Sequence, residues 1–158
     1  MATLLEGRAV SDALLAQVQS DVAELKQKGI LPKLVVIFVG ENPASQVYVR
    51  KKQEACEKVG MLSEKLVLPD TISQEELLAE IERLNQDQTV TGMILQLPIP
   101  AHLDAPKIIK AIDPSKDVDG FQAYNVGKMF LSADFENMAP CTPKGITKIL
   151  EFYKLTPD

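Results

Sequence analysis

The chain has 158 residues and a formal net charge of −5 at pH 7, and 46% of its residues are hydrophobic. This length and hydrophobic content suit one folded domain with a buried core and argue against a disordered chain. The acidic balance gives no indication of a nucleic-acid-binding protein, and no apolar run approaches the roughly 20 residues of a membrane-spanning helix. We therefore expect a globular protein that binds neither nucleic acid nor membrane.

The cysteine and histidine content restricts the chemistry further. Cys56 and Cys141 are the only cysteines and form no CxxC pair, and His102 is the only histidine. The first six residues lack the basic-then-apolar layout of a signal peptide. These features predict reduced thiols in a cytoplasmic protein, and they argue against a histidine-based metal site or a Ser-His-Asp triad within this chain.

Hydrophobic periodicity and turn residues predict alternating helices and strands. In chain order, the predicted elements are helix 11–28, strand 34–39, helix 43–59, strand 65–68, helix 73–84, strand 92–97, helix 104–112 and a last helix from Thr142. The segment 113–141 is rich in Asp, Pro, Gly and Asn, and we expect an ordered loop region there that leaves the sheet.

Local signals mark the ends of these helices. Asn42 followed by Pro43 is typical of a helix start, and residues 73–76 have the pattern of a capping box. Gly29 and Gly60 are the candidate residues for ending the first two helices.

Alternating strands and helices predict an α/β fold, with three α/β/α layers around a mainly parallel sheet. The continuous apolar run at 34–39 predicts a strand of that sheet buried on both faces. Open sheets of this kind bind ligands beyond the carboxyl ends of their strands. Residues 40–45 and 96–100 follow two predicted strands, so we place both segments at the functional edge.

Tyr48 and Lys52 lie four residues apart on the predicted helix that begins at this edge. That spacing puts a flat ring and an amine on one helix face, one turn apart. A ring can stack on a planar substrate, and an amine beside it can move a proton. The simpler alternative is that both are ordinary surface residues, which the adjacent Lys51 favours.

Two other segments carry polar groups with open interpretations. Gln96 lies within an apolar strand, so its amide needs a partner, which is either a structural network, the lysine amine or a ligand. Asp117 and Asp119 lie in a tight polar loop, where they either cap backbone N–H groups, present a carboxylate to paired N–H donors or, with weaker support, bind a metal. Cys141 is expected to pack inside a helix entry, and no base is evident that would activate it as a nucleophile.

Four segments in order resemble one known family. Residues 40–52 (GENPASQVYVRKK) resemble the first signature of bifunctional methylenetetrahydrofolate dehydrogenase/methenyltetrahydrofolate cyclohydrolase. Residues 92–100 (GMILQLPIP), residues 116–121 (KDVDGF, followed by Asn125 and Gly127) and residues 140–145 (PCTPKG) resemble its later blocks. The resemblance covers nearly the whole chain at family-like spacing.

The resemblance implies catalytic roles for three residues. Tyr48 would stack on the folate between its pterin and benzoyl regions. Lys52 would be the acid/base of the cyclohydrolase reaction and would orient the substrate for hydride transfer. Gln96 would hydrogen-bond Lys52 and hold it in a useful state.

The resemblance also implies substrate-binding residues. Asp119 would accept hydrogen bonds from the pterin amino group and ring N–H, which suits a carboxylate facing two neighbouring donors. Asp117 would be the more structural of the two acids. Leu97 and Pro98 would line the cleft, and no metal is implied.

The implied activity has two steps in folate one-carbon metabolism, which supplies purine and amino-acid biosynthesis. The dehydrogenase oxidises 5,10-methylenetetrahydrofolate to the 5,10-methenyl cation with NADP or NAD. The cyclohydrolase adds water to that cation and opens the ring to 10-formyltetrahydrofolate.

The family also has a Rossmann domain that binds the nicotinamide cofactor. The sequence holds neither GxGxxG nor GxxxxGK[ST], so we expect the cofactor site outside this chain. We divide the chain into a folate-binding catalytic domain at 1–140 and a helix and linker at 141–158 that lead toward the missing domain. A full-length member is expected to be a homodimer.

Two alternatives remain open at this point. A short-chain dehydrogenase also uses Tyr-x-x-x-Lys, but it requires a glycine-rich cofactor loop before the tyrosine, and residues 1–47 hold none. A non-catalytic folate-binding module, or an inactive fragment, would keep the same fold without turnover.

Overall fold

The computed structural model describes residues 4–131 and 138–155. Helices and strands follow one another in nearly the predicted order. They are α1 (Gly7–Gln27), β1 (Lys33–Val39), α2 (Pro43–Val59), β2 (Leu62–Leu68), α3 (Gln74–Gln86), β3 (Gly92–Leu95), α4 (Ala105–Ala111), α5 (Ala123–Leu131) and α6 (Cys141–Phe152).

The three strands form one parallel sheet in the order β2-β1-β3. The continuous apolar run of β1 is in the centre, and its residues 35–39 are all buried. Helices cover both faces of a parallel sheet, so its central strand has no polar face. The predicted parallel sheet, with a central strand buried on both faces, is confirmed.

The side chains of β1 alternate between two cores. One set packs with buried residues of α3, α4 and β3, and the other packs with α2. The first set is Val35, Ile37 and Val39, and the second is Val36 and Phe38. The sheet therefore lies between two helical layers, which confirms the predicted α/β/α class.

The predicted helix ends are confirmed where local capping signals are strong. The side chain of Asn42 accepts a hydrogen bond from the Ser45 amide at 3.0 Å. The capping box between Ser73 and Glu76 is formed in both directions. Gly60 adopts the left-handed conformation with φ of 81°, which costs glycine no steric strain.

The prediction of a loop over 113–141 was wrong for part of its length. Helix α5 occupies Ala123–Leu131, and residues 132–137 lie outside the described part of the chain. Gly127 and Asn125 weaken the local helix signal, because both are poor helix formers. Tertiary hydrogen bonds compensate: the Asn125 amide donates to Pro114 O at 2.9 Å and to Asp117 Oδ2 at 3.0 Å.

The strand boundaries also differ from the predictions. β3 ends at Leu95, so Gln96 and Leu97 follow the strand instead of lying within it. Pro98, which cannot donate to a ladder, comes directly after them. β2 begins at Leu62, three residues before the predicted start, because its pairing with β1 extends that far. Among the described helices, none is long and apolar enough to cross a membrane.

Candidate active site

The carboxyl ends of β1 and β3 lie side by side because the strands are parallel neighbours. Helix α2 begins just after β1, and residues 96–100 continue from β3. The Ser45 hydroxyl, in the first turn of α2, donates to Leu97 O at 3.3 Å. The two segments that the sequence placed at the functional edge therefore touch.

Lys52 and Gln96 form the polar centre of this edge. The Lys52 ammonium donates to Gln96 Oε1 at 2.9 Å, and both residues are half-buried. The other end of the Gln96 amide donates from Nε2 to Leu97 O at 2.9 Å. Both ends of the Gln96 amide are thus engaged, so its oxygen is oriented toward the lysine.

Tyr48 lies one helical turn before Lys52, with 63% of its surface exposed. Leu97 is 42% exposed, and Pro98 is exposed next to it. An open aromatic ring and open apolar groups near the amine leave a planar ligand with surfaces to contact. The structure does not bring Tyr48 into a hydrogen bond with either Lys52 or Gln96.

Asp117 and Asp119 have different surroundings although they are two residues apart. Asp117 is only 2% exposed. Its carboxylate accepts from the amide of Gly120 at 3.1 Å, the amide of Gln122 at 2.8 Å and the side chain of Asn125 at 3.0 Å. Those three donors all belong to the same loop and the following helix, so Asp117 stabilises the conformation of the loop.

Asp119 is half-buried and close enough to Lys52 to be affected by its charge. Burial raises the pKa of the Asp119 carboxyl above its usual range, while Lys52 and the Cys141 thiol oppose this rise. The polar loop after α4 therefore brings the Asp119 carboxylate near Lys52 and keeps the Asp117 carboxylate in the loop interior.

Cys141, the first residue of α6, lies beside Asp119. Although Cys141 is exposed as a residue, partial desolvation of its thiol, followed by the negative charge of Asp119, raises the pKa of Cys141. The thiol is thus held protonated, as suits a hydrogen-bond donor better than a nucleophile. Gly120 allows the segment before Cys141 to lie against the loop of Asp119, because a Cβ at Gly120 would lie 2.7 Å from the backbone of Met138 and Ala139.

Two residues of this centre had no predicted role. The 3.3 Å contact of Ser45 follows from tertiary packing, and its only sequence signal is a small polar residue in the first turn of α2. Cys141 was expected to pack inside a helix entry, but the residue is exposed, with its thiol directed at Asp119. Its position in the fourth family-like block was the available signal.

Neither a metal nor a dinucleotide is suggested by these residues. Within 4–131 and 138–155, no group of three or more His, Cys, Asp or Glu side chains could hold a metal ion. The turn after β1 has Gly40, but a Cβ there would lie 3.3 Å from the side chain of Asp70. The turn after β1 therefore packs closely against Asp70, and the sequence has no GxGxxG motif there.

Comparison with known proteins identifies relatives along nearly the entire chain. The chain is 52% identical over 155 residues to the bifunctional protein FolD of Enterococcus faecalis, covering 98% of this chain and 54% of that protein. It is 46% identical over 151 residues to FolD of Bacillus cytotoxicus, covering 96% of this chain and 52% of that protein. The chain thus spans about half the length of the curated relatives it matches.

Solved structures agree with the sequence matches. The bifunctional enzyme FolD, methylenetetrahydrofolate dehydrogenase/cyclohydrolase, from Campylobacter jejuni matches with a TM-score of 0.93 and 45% identity, over 97% of this chain and 54% of that one. The Trypanosoma brucei enzyme, solved with NADP cofactor and inhibitor, matches with a TM-score of 0.89 and 32% identity, over 97% of this chain and 52% of that one.

A family model described as the catalytic domain of tetrahydrofolate dehydrogenase/cyclohydrolase matches residues 5–119. That range contains the Lys52–Gln96 pair and Asp119, and it stops before Cys141. Because the match covers well over half of the chain, the chain belongs to the tetrahydrofolate dehydrogenase/cyclohydrolase family.

Proposed function

We propose that this chain is the folate-binding catalytic part of a bifunctional enzyme. That enzyme would oxidise 5,10-methylenetetrahydrofolate to 5,10-methenyltetrahydrofolate and hydrolyse the product to 10-formyltetrahydrofolate. The observation that carries the proposal is the hydrogen bond of 2.9 Å between Lys52 and Gln96 in a chain of this family. It directs one amine into an edge that also holds an open ring and a carboxylate.

The proposed folate site uses the groups around that amine. The exposed Tyr48 ring would stack on the folate, and Leu97 and Pro98 would line the cleft beside it. Asp119 would accept hydrogen bonds from the pterin amino group and ring N–H, since a carboxylate can accept two neighbouring donors. Asp117 would keep this loop in shape without touching the substrate.

Hydrolysis needs a water molecule to add to the positively charged bridging carbon. The water loses one proton as its oxygen bonds to that carbon, and the resulting hydroxyl loses the second as the formyl C=O forms and the bond from the carbon to the ring nitrogen breaks. One proton goes to the ring nitrogen, and the other is released to solvent, which removes the positive charge. Lys52 is the proposed group for these transfers, and Gln96 would orient its amine toward the bridging carbon. A general acid/base of this kind contributes about 100- to 10,000-fold in rate.

The nicotinamide cofactor, NADP or NAD, would accept the hydride in the dehydrogenase step. Because the sequence has no glycine-rich dinucleotide-binding motif, we propose that residues of a longer protein bind it and assign no hydride step to this chain. Residues 1–140 would form the folate-binding domain, and 141–158 the helix and linker toward a Rossmann domain. We further propose a cytoplasmic enzyme that is a homodimer at full length.

Cyclohydrolase turnover by the 158-residue chain tests the proposal. We expect loss of methenyltetrahydrofolate absorbance above the uncatalysed rate. Lys52→Met should reduce the turnover by at least about 100-fold while the variant still binds folate, because the amine is lost and the stem is kept. Lys51→Met is the matched control, since Lys51 is the neighbouring exposed lysine on the same helix.

Two results would contradict the proposal. Full activity in Lys52→Met would remove the assigned acid/base. A folded wild-type chain that binds folate without turnover would instead favour the non-catalytic module. The Lys51→Met control separates a specific effect of Lys52 from a general effect of removing positive charge.

A further inference from the structure

Lys116 contacts the end of α3 and lies on the loop that carries Asp119. Its ammonium donates to three backbone carbonyls, those of Leu84 at 2.9 Å, Asn85 at 2.7 Å and Asp87 at 2.8 Å. An ammonium has three donors, so all are used. The carbonyls at the end of a helix lack intrahelical partners and carry partial negative charge, which a lysine there satisfies.

Asn85 makes a second connection between α3 and the same loop. Its side chain donates to Ala111 O at 2.9 Å and accepts from the Asp113 amide at 2.9 Å. These contacts fix the start of the loop just after α4. Lys116 and Asn85 thus both attach the loop to the end of α3.

The main chain at Lys116 is also attached to the sheet. Its carbonyl accepts from the Met93 amide at 2.8 Å, and Met93 and Asp117 form a parallel bridge. The loop therefore runs alongside β3 for a short distance. Asp119 comes three residues after Lys116, where the chain reaches the lysine centre.

We propose that Lys116 is a positioning residue that holds the Asp119 carboxylate in the folate site by tying its loop to the end of α3. The inference rests on the proposed function, in which Asp119 binds the pterin. Lys116 itself contacts α3, on the side of the loop away from the substrate groups. Its effect on folate is therefore transmitted through the loop backbone.

The other internal bonds of the loop cannot replace this tie. The Asp117 carboxylate accepts from Gly120, Gln122 and Asn125, so these bonds define the loop's shape without attaching it to α3. Removing the Lys116 ammonium leaves three carbonyls at the end of α3 without their donor. The loop then keeps the Asn85 bonds at its start and the Met93 bond to the sheet, but the segment that carries Asp119 loses its tie to α3 and can shift and open more readily. A shift of about 1 Å in a substrate-positioning group can cost about 100-fold in function.

The test compares Lys116→Met with Ser73→Ala in the 158-residue chain. Ser73 caps the opposite end of α3, so its variant destabilises the same helix without touching the loop. Binding of 5-formyltetrahydrofolate is titrated by calorimetry at a temperature where circular dichroism shows each variant folded. We expect Lys116→Met to raise the dissociation constant at least about tenfold with stoichiometry kept, and Ser73→Ala to leave it unchanged.

A purely structural role for Lys116 predicts a different result. Partial unfolding lowers the stoichiometry of binding and leaves the dissociation constant of the folded fraction as it was. Lys116→Met would then behave like Ser73→Ala, and the inference would be overturned. Asp119→Asn is included to test the underlying function: unchanged affinity in that variant would overturn the role of Asp119 in folate binding.

Amide hydrogen exchange provides a readout that does not depend on folate. The amides of Gly120 and Gln122 are bonded to Asp117 inside the loop. We expect both to exchange at least about tenfold faster in Lys116→Met than in Ser73→Ala, because only the first variant frees the loop. Equal exchange in the two variants would show that Lys116 does not hold the loop, whether or not the chain binds folate.

Discussion

At the scale of residues, the candidate site depends on which polar groups the fold buries and which it leaves open. Asp117 and Asp119 are the same residue type two positions apart. Asp117 is 2% exposed and accepts from three donors, whereas Asp119 is half-buried beside Lys52. These contacts support the proposal that Asp117 is structural and that Asp119 binds the ligand.

The raised pKa of Asp119 predicts a cost in stability that depends on pH. The folded chain holds this proton more tightly than the unfolded chain does. The stabilisation is therefore fully present below the ordinary pKa of 3.8 and is lost as the pH rises through the raised value. Asp119→Asn removes the titrating carboxyl, so the variant should melt above wild type near neutral pH.

Melting curves recorded between about pH 3.5 and pH 7 test this sign. The advantage of Asp119→Asn should shrink as the pH falls, because wild-type Asp119 then also becomes neutral. The comparison of the two proteins at low pH is the internal control, because any difference that remains there comes from the asparagine amide itself and not from the charge of Asp119. A constant difference between the two proteins across this range would show that the burial of Asp119 charge does not affect stability.

At the scale of elements, the site depends on close contact between β3 and the loop that carries Asp119. A Cβ at Gly92, the first residue of β3, would lie 2.3 Å from Cγ1 of Val118. Valine is stiff about its first side-chain torsion, so Val118 cannot move aside without shifting the loop backbone. A glycine at this position therefore allows Asp117 and Asp119, on either side of Val118, to approach the sheet.

Gly92→Ala is expected to destabilise the fold by about 2 kcal/mol through this overpacking. Adding Val118→Ala should restore most of the loss, because the clashing methyl groups are then gone. Gly127→Ala in α5 is the matched control. Within residues 4–131 and 138–155, no atom outside the helix's own backbone lies within 4 Å of a Cβ built there, so alanine should stabilise that helix by up to about 1 kcal/mol.

Urea unfolding of the single and double variants measures these effects. If side chains at positions 92 and 118 clash, the double variant should be more stable than Gly92→Ala alone. Additive losses would contradict the close contact, as would a Gly92→Ala variant as stable as wild type.

At the scale of the whole molecule, the two faces of the sheet are unequal. Among the described residues, the buried cluster between the sheet and α3 with α4 contains 13 residues, whereas the cluster on the α2 side contains three. Helix α1 buries only Val10 and Val22, and α6 buries none of its side chains. Packing is therefore concentrated around β1 and α3, and the α1–α6 side is held more weakly.

Native-state hydrogen exchange should report this order. The amides of β1 are expected to exchange with the free energy of global unfolding, because both neighbouring strands and both helical layers cover them. The amides of α6 should exchange at least about 100-fold faster through local opening. Uniform protection in α6 and β1 would show that α6 unfolds only together with the sheet.

Several features of this protein were determined by the sequence itself. The helix ends at Asn42, Ser73 and Gly60 are local interactions between residues a few positions apart, so pattern and residue type suffice to predict them. The apolar run of β1 predicted a buried parallel strand for the same reason. The four ordered blocks indicated the family and directed attention to the Lys52 and Asp119 segments.

Other features were decided only by tertiary structure. Helix α5 has weak local propensity and depends on the bonds of Asn125 to a distant turn. The Lys52–Gln96 bond joins residues 44 positions apart, and the ammonium of Lys116 reaches the end of α3 about 30 positions earlier. Such contacts require the strands, helices and loops to be assembled first, because no local pattern encodes which distant groups meet. For that reason the sequence by itself determined the elements and the family, whereas the packing of those elements decided which side chains face the site.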